Sequence, residues 1–184
     1  MEKENTVNRP RKLIILAVLF LGIIAVGARV FLKKTDPHLQ AAAFTLPDPD
    51  GKLVHSSDFS GQPMLVHFWA AWCAPCTEEL PELMEVASGF TKEKLRFLMV
   101  SNDPNWGAAM KLVSKGKRSD SLVLLLDPEM KVAGEYGTYQ LPETYLVSSS
   151  GKILMKWIGP QKWKDEALRK GLEMLLGPQA EPKS

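Results

Sequence analysis

The chain opens with an apolar tract that has no polar face: Leu13 to Ala28 runs unbroken, and Val30, Phe31 and Leu32 extend it past Arg29. A helix crossing the hydrocarbon of a bilayer needs about 20 such residues. With Arg29 snorkelling to the headgroups, 13–32 reaches that length and predicts a single transmembrane signal-anchor. Residues 1–12 before it form a basic n-region with Arg9, Arg11 and Lys12, which favours a cytoplasmic N-terminus. Val26-Gly27-Ala28 is also a tolerable cleavage site, so a removed secretory signal is the alternative. Both readings export the remainder of the chain.

After a polar, then small-residue linker over 33–43, the pattern becomes that of a folded domain over 44–177, followed by a flexible tail over 178–184. Short apolar segments flank Asp50-Gly51 and predict an N-terminal hairpin. "MLVHFWA" (64–70), "LRFLMVS" (95–101) and "SLVLLLD" (121–127) are continuous apolar runs of buried-strand length. Between the first two, Leu80, Leu83, Met84 and Val86 to Phe90 recur at helical spacing, with Glu78, Glu79, Glu82 and Glu85 on the other positions. Asn105 to Lys115 and Glu129 to Tyr136 predict two further helices. "ETYLVSSSGKILMKWIG" predicts two strands about a Ser-Ser-Ser-Gly turn, and Gln161 to Leu176 a closing helix ended by Gly177-Pro178. Strands alternating with helices and then a closing hairpin imply an α/β fold with a mixed sheet, parallel in part and antiparallel at one edge.

The length, 184 residues, suits one domain with attachments at its ends. The net charge is only +2, from 23 basic and 21 acidic residues, and no basic block lies outside the N-terminal region, so nucleic acid is excluded as a partner.

The chemistry is concentrated in "WCAPC", which holds the only two cysteines, Cys73 and Cys76. Three roles compete: a redox switch, half of a metal site, or a structural staple. A bridge closing so short a loop removes little entropy from the unfolded chain, which weakens the staple. A metal would need further soft ligands, and only the scattered His38, His55 and His67 are available. Thr77 rather than His follows the pair, which excludes the signature of covalent haem. A strand ending before the pair and a helix starting at it would place Cys73 at the helix N-terminus, where free N–H groups favour a thiolate. Cys73 is then the nucleophile. Cys76, one turn on and more shielded, is the resolving thiol.

"FWAAWCAPCTEELP" together with "YQLPETYLV" (139–147) resembles the thioredoxin-like superfamily, and within it the membrane-anchored TlpA/ResA/DsbE (CcmG) thiol-disulfide oxidoreductases. The likeness covers Phe44 to about Leu176. It implies a thioredoxin-like fold with helices flanking a mixed central sheet, the Cys73–Cys76 disulfide as the redox centre, and no metal or other cofactor. It implies that Pro142 is a cis-proline facing the cysteines, whose loop, with Leu141, pairs with an extended substrate segment; an ordinary turn proline is the plainer reading. Glu79 matches a glutamate that the group carries near its site, in proton exchange or substrate contact, against the plainer reading of a solvated acidic helix face. Glu143 follows the proline as in DsbE-like members, or is a surface charge. Trp72 covers the nucleophile, or is a packing tryptophan. The departure is His67: thioredoxins carry aspartate six residues before the first cysteine, and TlpA-like members often asparagine. His67 is either a proton relay to Cys76 or a hydrogen-bonded core histidine.

The resemblance implies a reductase of exported protein disulfides, with clients in cytochrome c maturation or copper-centre assembly and a membrane electron donor of the CcdA/DsbD type. Its place is the bacterial inner membrane, catalytic domain on the periplasmic side, or the periplasm itself if the N-terminal segment is cleaved. The alternatives on this fold are a copper-binding assembly module and a thiol peroxidase. The opening Phe44-x-Leu46-x-Asp48-x-x-Gly51 resembles peroxiredoxin-like proteins, but Ala70-Ala71-Trp72 before Cys73 lacks their threonine.

Overall fold

The alternating segments around Asp50-Gly51 fold as a hairpin, β1 (Thr45–Pro47) pairing antiparallel with β2 (Leu53–His55). Asp48 Oδ1 accepts from the N–H groups of Asp50 and Lys52, and Gly51 supplies the positive φ of 80° that closes the turn. The computed structural model describes residues 40–176. The expected n-region, the anchor over 13–32, most of the linker and the tail lie outside the described residues. Among those described, no helix is long and apolar enough to cross a membrane.

The three continuous apolar runs become β3 (Met64–Trp69), β4 (Arg96–Ser101) and β5 (Leu122–Leu126), and the predicted closing pair becomes β6 (Glu143–Val147) and β7 (Ile153–Ile158). They form one five-stranded sheet in the order β5-β4-β3-β6-β7. The β3–β4 and β4–β5 pairs are parallel and the β3–β6 and β6–β7 pairs antiparallel, the mixed arrangement expected. The helices are α1 (Ala74–Ala87), α2 (Trp106–Val113), α3 (Lys131–Glu135) and α4 (Glu166–Leu176).

Because β3 is buried on both faces, its sequence shows no alternation. The period of two is nevertheless present in its packing. Leu65 and Trp69 join a core with Leu80, Leu83 and Met84 of α1 and Leu172 of α4, while Val66 and Phe68 join a second core with Tyr136, Tyr145 and Val147. His67, between Leu65 and Trp69 in this alternation, therefore points at α1.

Two boundaries differ from the sequence reading. Pairing begins ahead of Phe44, since Gln40 bridges Lys152 and Ala41 N–H donates to Gly151 O. The closing helix starts at Glu166, not Gln161. The backbone N–H groups of Gln161 and Lys164 are taken by Glu79 and Glu82 of α1, at 2.7 and 2.6 Å, and Lys164 Nζ reaches Glu85. The acidic positions of α1 thus form a strip that fastens the loop after β7, and Asp165 Oδ1 accepts from the N–H groups of Ala167 and Leu168, which caps the helix at Glu166.

Candidate active site

β3 delivers the chain to the cysteines through a turn held from the side. Ala71 N–H donates to both carboxylate oxygens of Asp103, at 3.1 and 2.9 Å, and Ser101 Oγ donates to the same carboxylate at 2.8 Å. Cys73 N–H closes the turn on Ala70 O. Asp103 is buried and was not singled out from the sequence. Its loss strips a charged acceptor from the half-buried Ala71 N–H and the buried Ser101 hydroxyl, so Asp103→Ala should lower stability by about 2 kcal/mol. Asp103→Asn, which keeps one acceptor, should cost less; urea unfolding of the three proteins at neutral pH tests this, and coincident midpoints would refute it.

Cys73 is the N-cap of α1, with extended backbone (φ −89°, ψ 105°), and its carbonyl accepts from Thr77 N–H. Pro75 lies in the first turn, where a missing N–H leaves nothing unbonded. Cys73 and Cys76 form a disulfide with Cα atoms 5.3 Å apart. Cys73 keeps 7% of its surface exposed and Cys76 none, while Trp72 beside them is 64% exposed. The sulfurs are thus unequal in access, and the accessible one sits at the positive end of the helix.

The register of β6 brings the second motif to the same place. Glu143 pairs with Phe68, so Pro142 stands beside Trp69 at the end of β3 from which the cysteine turn departs. The Leu141–Pro142 peptide bond is cis. Pro142 O accepts from Gly159 N–H, but Tyr139, Gln140 and Leu141 make no backbone hydrogen bonds among the described residues. Leu141 is half-buried against both cores.

Behind the disulfide lies a polar cluster inside the apolar core. His67 Nδ1 is 2.9 Å from Thr144 Oγ1, and His67 Nε2 faces Glu79 Oε1 at 3.5 Å. Neither Nε2 nor Oε1 has a closer hydrogen-bond partner among the described residues. Glu79 Oε2 accepts from Gln161 N–H at 2.7 Å and from Trp163 Nε1–H at 3.2 Å. Burial lowers the His67 pKa from 6.5 to about 3 and keeps the ring neutral. Burial also raises Glu79 from 4.5 to about 7, against the N–H bonds of Gln161 and Trp163 and with a push from the Glu82 charge. A neutral ring gives Glu79 no cation to hold its proton off, so this contact is not an ion pair while Glu79 keeps its proton. Glu79 is only 5% exposed and does not belong to a solvated face.

Glu143 is wholly buried, on the sheet face opposite His67. Its Oε2 accepts from Tyr145 Oη–H at 2.8 Å and pairs with Lys156 Nζ at 2.9 Å, so its carboxylate is not a surface charge. Gln161, Trp163, Thr144 and Lys156 were also missed from the sequence. The signal for Trp163 was available: one tryptophan inside "GPQKWKDEA", a polar stretch behind Gly-Pro, marks a buried anchor in a loop. Among the described residues no group of three or more His, Cys, Asp or Glu side chains is arranged to hold a metal ion.

A disulfide capping the first helix after a central strand, beside a cis-proline loop on the neighbouring antiparallel strand, defines a thioredoxin-fold thiol-disulfide oxidoreductase. Known proteins agree. The chain is 25% identical over 166 residues to the thiol-disulfide oxidoreductase ResA of Bacillus anthracis, covering 88% of this chain and 92% of that protein. It is 33% identical over 132 residues to the thiol:disulfide interchange protein DsbE of Allochromatium vinosum, covering 68% and 70%. The crystal structure of a thiol:disulfide interchange protein DsbE from Chlorobium tepidum superimposes with a TM-score of 0.63 at 28% identity, over 75% of this chain and 96% of that one. The chain belongs to the AhpC/TSA family, whose model matches residues 37–156, and is closely related there to the ResA, DsbE and TlpA oxidoreductases.

Proposed function

We propose that this chain is an exported, membrane-tethered reductase of protein disulfides, acting through Cys73 and Cys76. The observation that carries the reading is the unequal pair: a partly exposed Cys73 at the N-terminus of α1, a buried Cys76 one turn behind, and the cis-Pro142 loop alongside. The names of the ResA and DsbE relatives support thiol-disulfide exchange, and the apolar run over 13–32 supports the export and the tether.

In the reduced protein the Cys73 thiolate attacks one sulfur of a client disulfide. That S–S bond breaks, a Cys73–client bond forms, and the released client thiolate takes up a proton. Cys76, deprotonated, then attacks Cys73 Sγ; the client leaves as its second thiol and the Cys73–Cys76 bond closes. Two electrons have passed to the client, and a membrane dithiol donor of the CcdA/DsbD type restores the pair. Client backbone pairs with the unbonded groups of Tyr139 to Leu141 by strand addition, with Trp72 as an apolar contact. Glu79 exchanges protons with the sulfurs, and His67 relays a proton to Cys76. The clients are apocytochrome c or copper-centre assembly proteins.

Direction is tested by the reduction potential, measured by equilibrating the protein against thiol buffers and trapping free thiols for mass spectrometry. A reductase should lie near or below about −270 mV. A value near about −120 mV would make the protein a disulfide donor and overturn the assignment.

A further inference from the structure

The loop that carries cis-Pro142 is held from beneath by one ammonium group. Lys156 of β7 donates from Nζ to Gly137 O at 2.9 Å, where the loop leaves α3, and pairs at 2.9 Å with Glu143 Oε2, where the loop enters β6. Between those ends the same Nζ lies 4.9 Å from the ring centre of Tyr139, and beyond them 5.1 Å from that of Tyr145 on β6. Tyr145 Oη–H bonds Glu143, and Thr138 Oγ1 lies 3.0 Å from Tyr145 Oη, which closes the cluster. These contacts matter because the loop has no ladder of its own, with the backbone of Tyr139 to Leu141 unbonded among the described residues.

Sheet stability does not explain the cluster. A fully buried carboxylate is costly even when paired, and an apolar residue of similar size usually serves a core as well or better. Here Glu143 Oε1 has no partner among the described residues, so the ion pair is not even fully compensated. What the charges do achieve is geometric, since one cation fixes both ends of a recognition loop and presses on its middle. Tyr139, 72% exposed, is thereby presented outward with one face braced on the cation.

We propose that Lys156 is a positioning residue for client recognition, setting the Gly137–Glu143 loop in the conformation to which an extended client segment pairs and holding Tyr139 as a client contact. The proposal rests on the function stated above.

The test uses the full chain in detergent, kept reduced by dithiothreitol with the uncatalysed rate subtracted, with insulin as a disulfide substrate that offers backbone and hydroxyethyl disulfide as one that offers none. Lys156→Met should raise KM for insulin about tenfold more than it changes the rate with hydroxyethyl disulfide, and should leave kcat for insulin within about twofold. Lys156→Arg, which restores the charge, should recover most of that loss. The Lys156→Met/Glu143→Gln double variant removes the stranded carboxylate, so its KM should stay raised even if the single variant folds poorly. An unchanged insulin KM in the double variant, or an equal loss on both substrates, overturns the positioning role. A wild-type chain that reduces neither substrate overturns the functional reading, and the positioning role with it.

Discussion

Replacing Cys73 with serine should lower disulfide reduction by at least about 10³-fold, to the uncatalysed rate, because no other thiol in the chain can begin the exchange. Cys76→Ser should behave differently. Cys73, the more accessible sulfur, still attacks a client, but the second step has no nucleophile, and the mixed disulfide accumulates. On a non-reducing gel, Cys76→Ser should run as a client adduct that collapses with dithiothreitol, and Cys73→Ser should show none. The order follows from access, Cys73 at 7% exposure against none for Cys76, and from the helix N-terminus that favours the Cys73 thiolate. Adducts trapped by Cys73→Ser instead would reverse the two roles.

The buried His67–Glu79 pair should make stability flat in pH where either residue alone would tilt it. In the fold His67 is neutral down to about pH 3 and Glu79 stays protonated up to about pH 7, whereas ordinary values are 6.5 and 4.5. Between about pH 4.5 and 6.5 the folded pair holds one proton, on Glu79, and the unfolded pair also holds one, on His67. Equal proton counts give no slope. Glu79→Gln leaves only a histidine that binds its proton in the unfolded chain, so stability should rise with pH across this window. His67→Asn leaves only a carboxyl that binds its proton in the folded chain, so stability should fall. Each slope should approach about 1.4 kcal/mol per pH unit, with opposite signs. Urea unfolding of the three proteins at pH 5 and pH 6 decides the matter. Parallel changes in all three would show that the two residues do not divide a proton in this way.

Much of the fold was legible because the signals were local. Length and continuity of apolar runs located β3, β4 and β5, the Ser-Ser-Ser-Gly turn located β6 and β7, helical spacing located α1, and a strand ending at Cys-x-x-Cys placed one sulfur at a helix N-terminus. These depend on neighbours a few residues apart, and physical chemistry acts on them before the chain folds back on itself. The resemblance then supplied the expected cis bond at Pro142, which the structure has, and the roles proposed for Pro142 and Glu79, which spacing alone does not carry.

What escaped the sequence depends on partners distant along the chain. The helix expected from Gln161 starts only at Glu166, where Asp165 caps it, while Glu79 and Glu82 of α1 hold the backbone of Gln161 and Lys164 in the loop before it. The acidic face of α1 read equally as solvated surface, and only the arrival of Gln161 and Trp163 buries Glu79 and moves its titration toward neutrality. His67 read equally as relay or core residue; the strand alternation that aims it at α1 pairs it with Glu79, and the register of β6 supplies Thr144. Glu143 next to an exposed loop had every local mark of a surface charge, yet the sheet closes over it and Lys156 answers it from β7. The sequence by itself determined the elements, the redox pair and the polarity of its two sulfurs, because those follow from composition and spacing. Tertiary structure alone decided which ionisable side chains lie out of water and what faces them, because desolvation and pairing are properties of the assembled core.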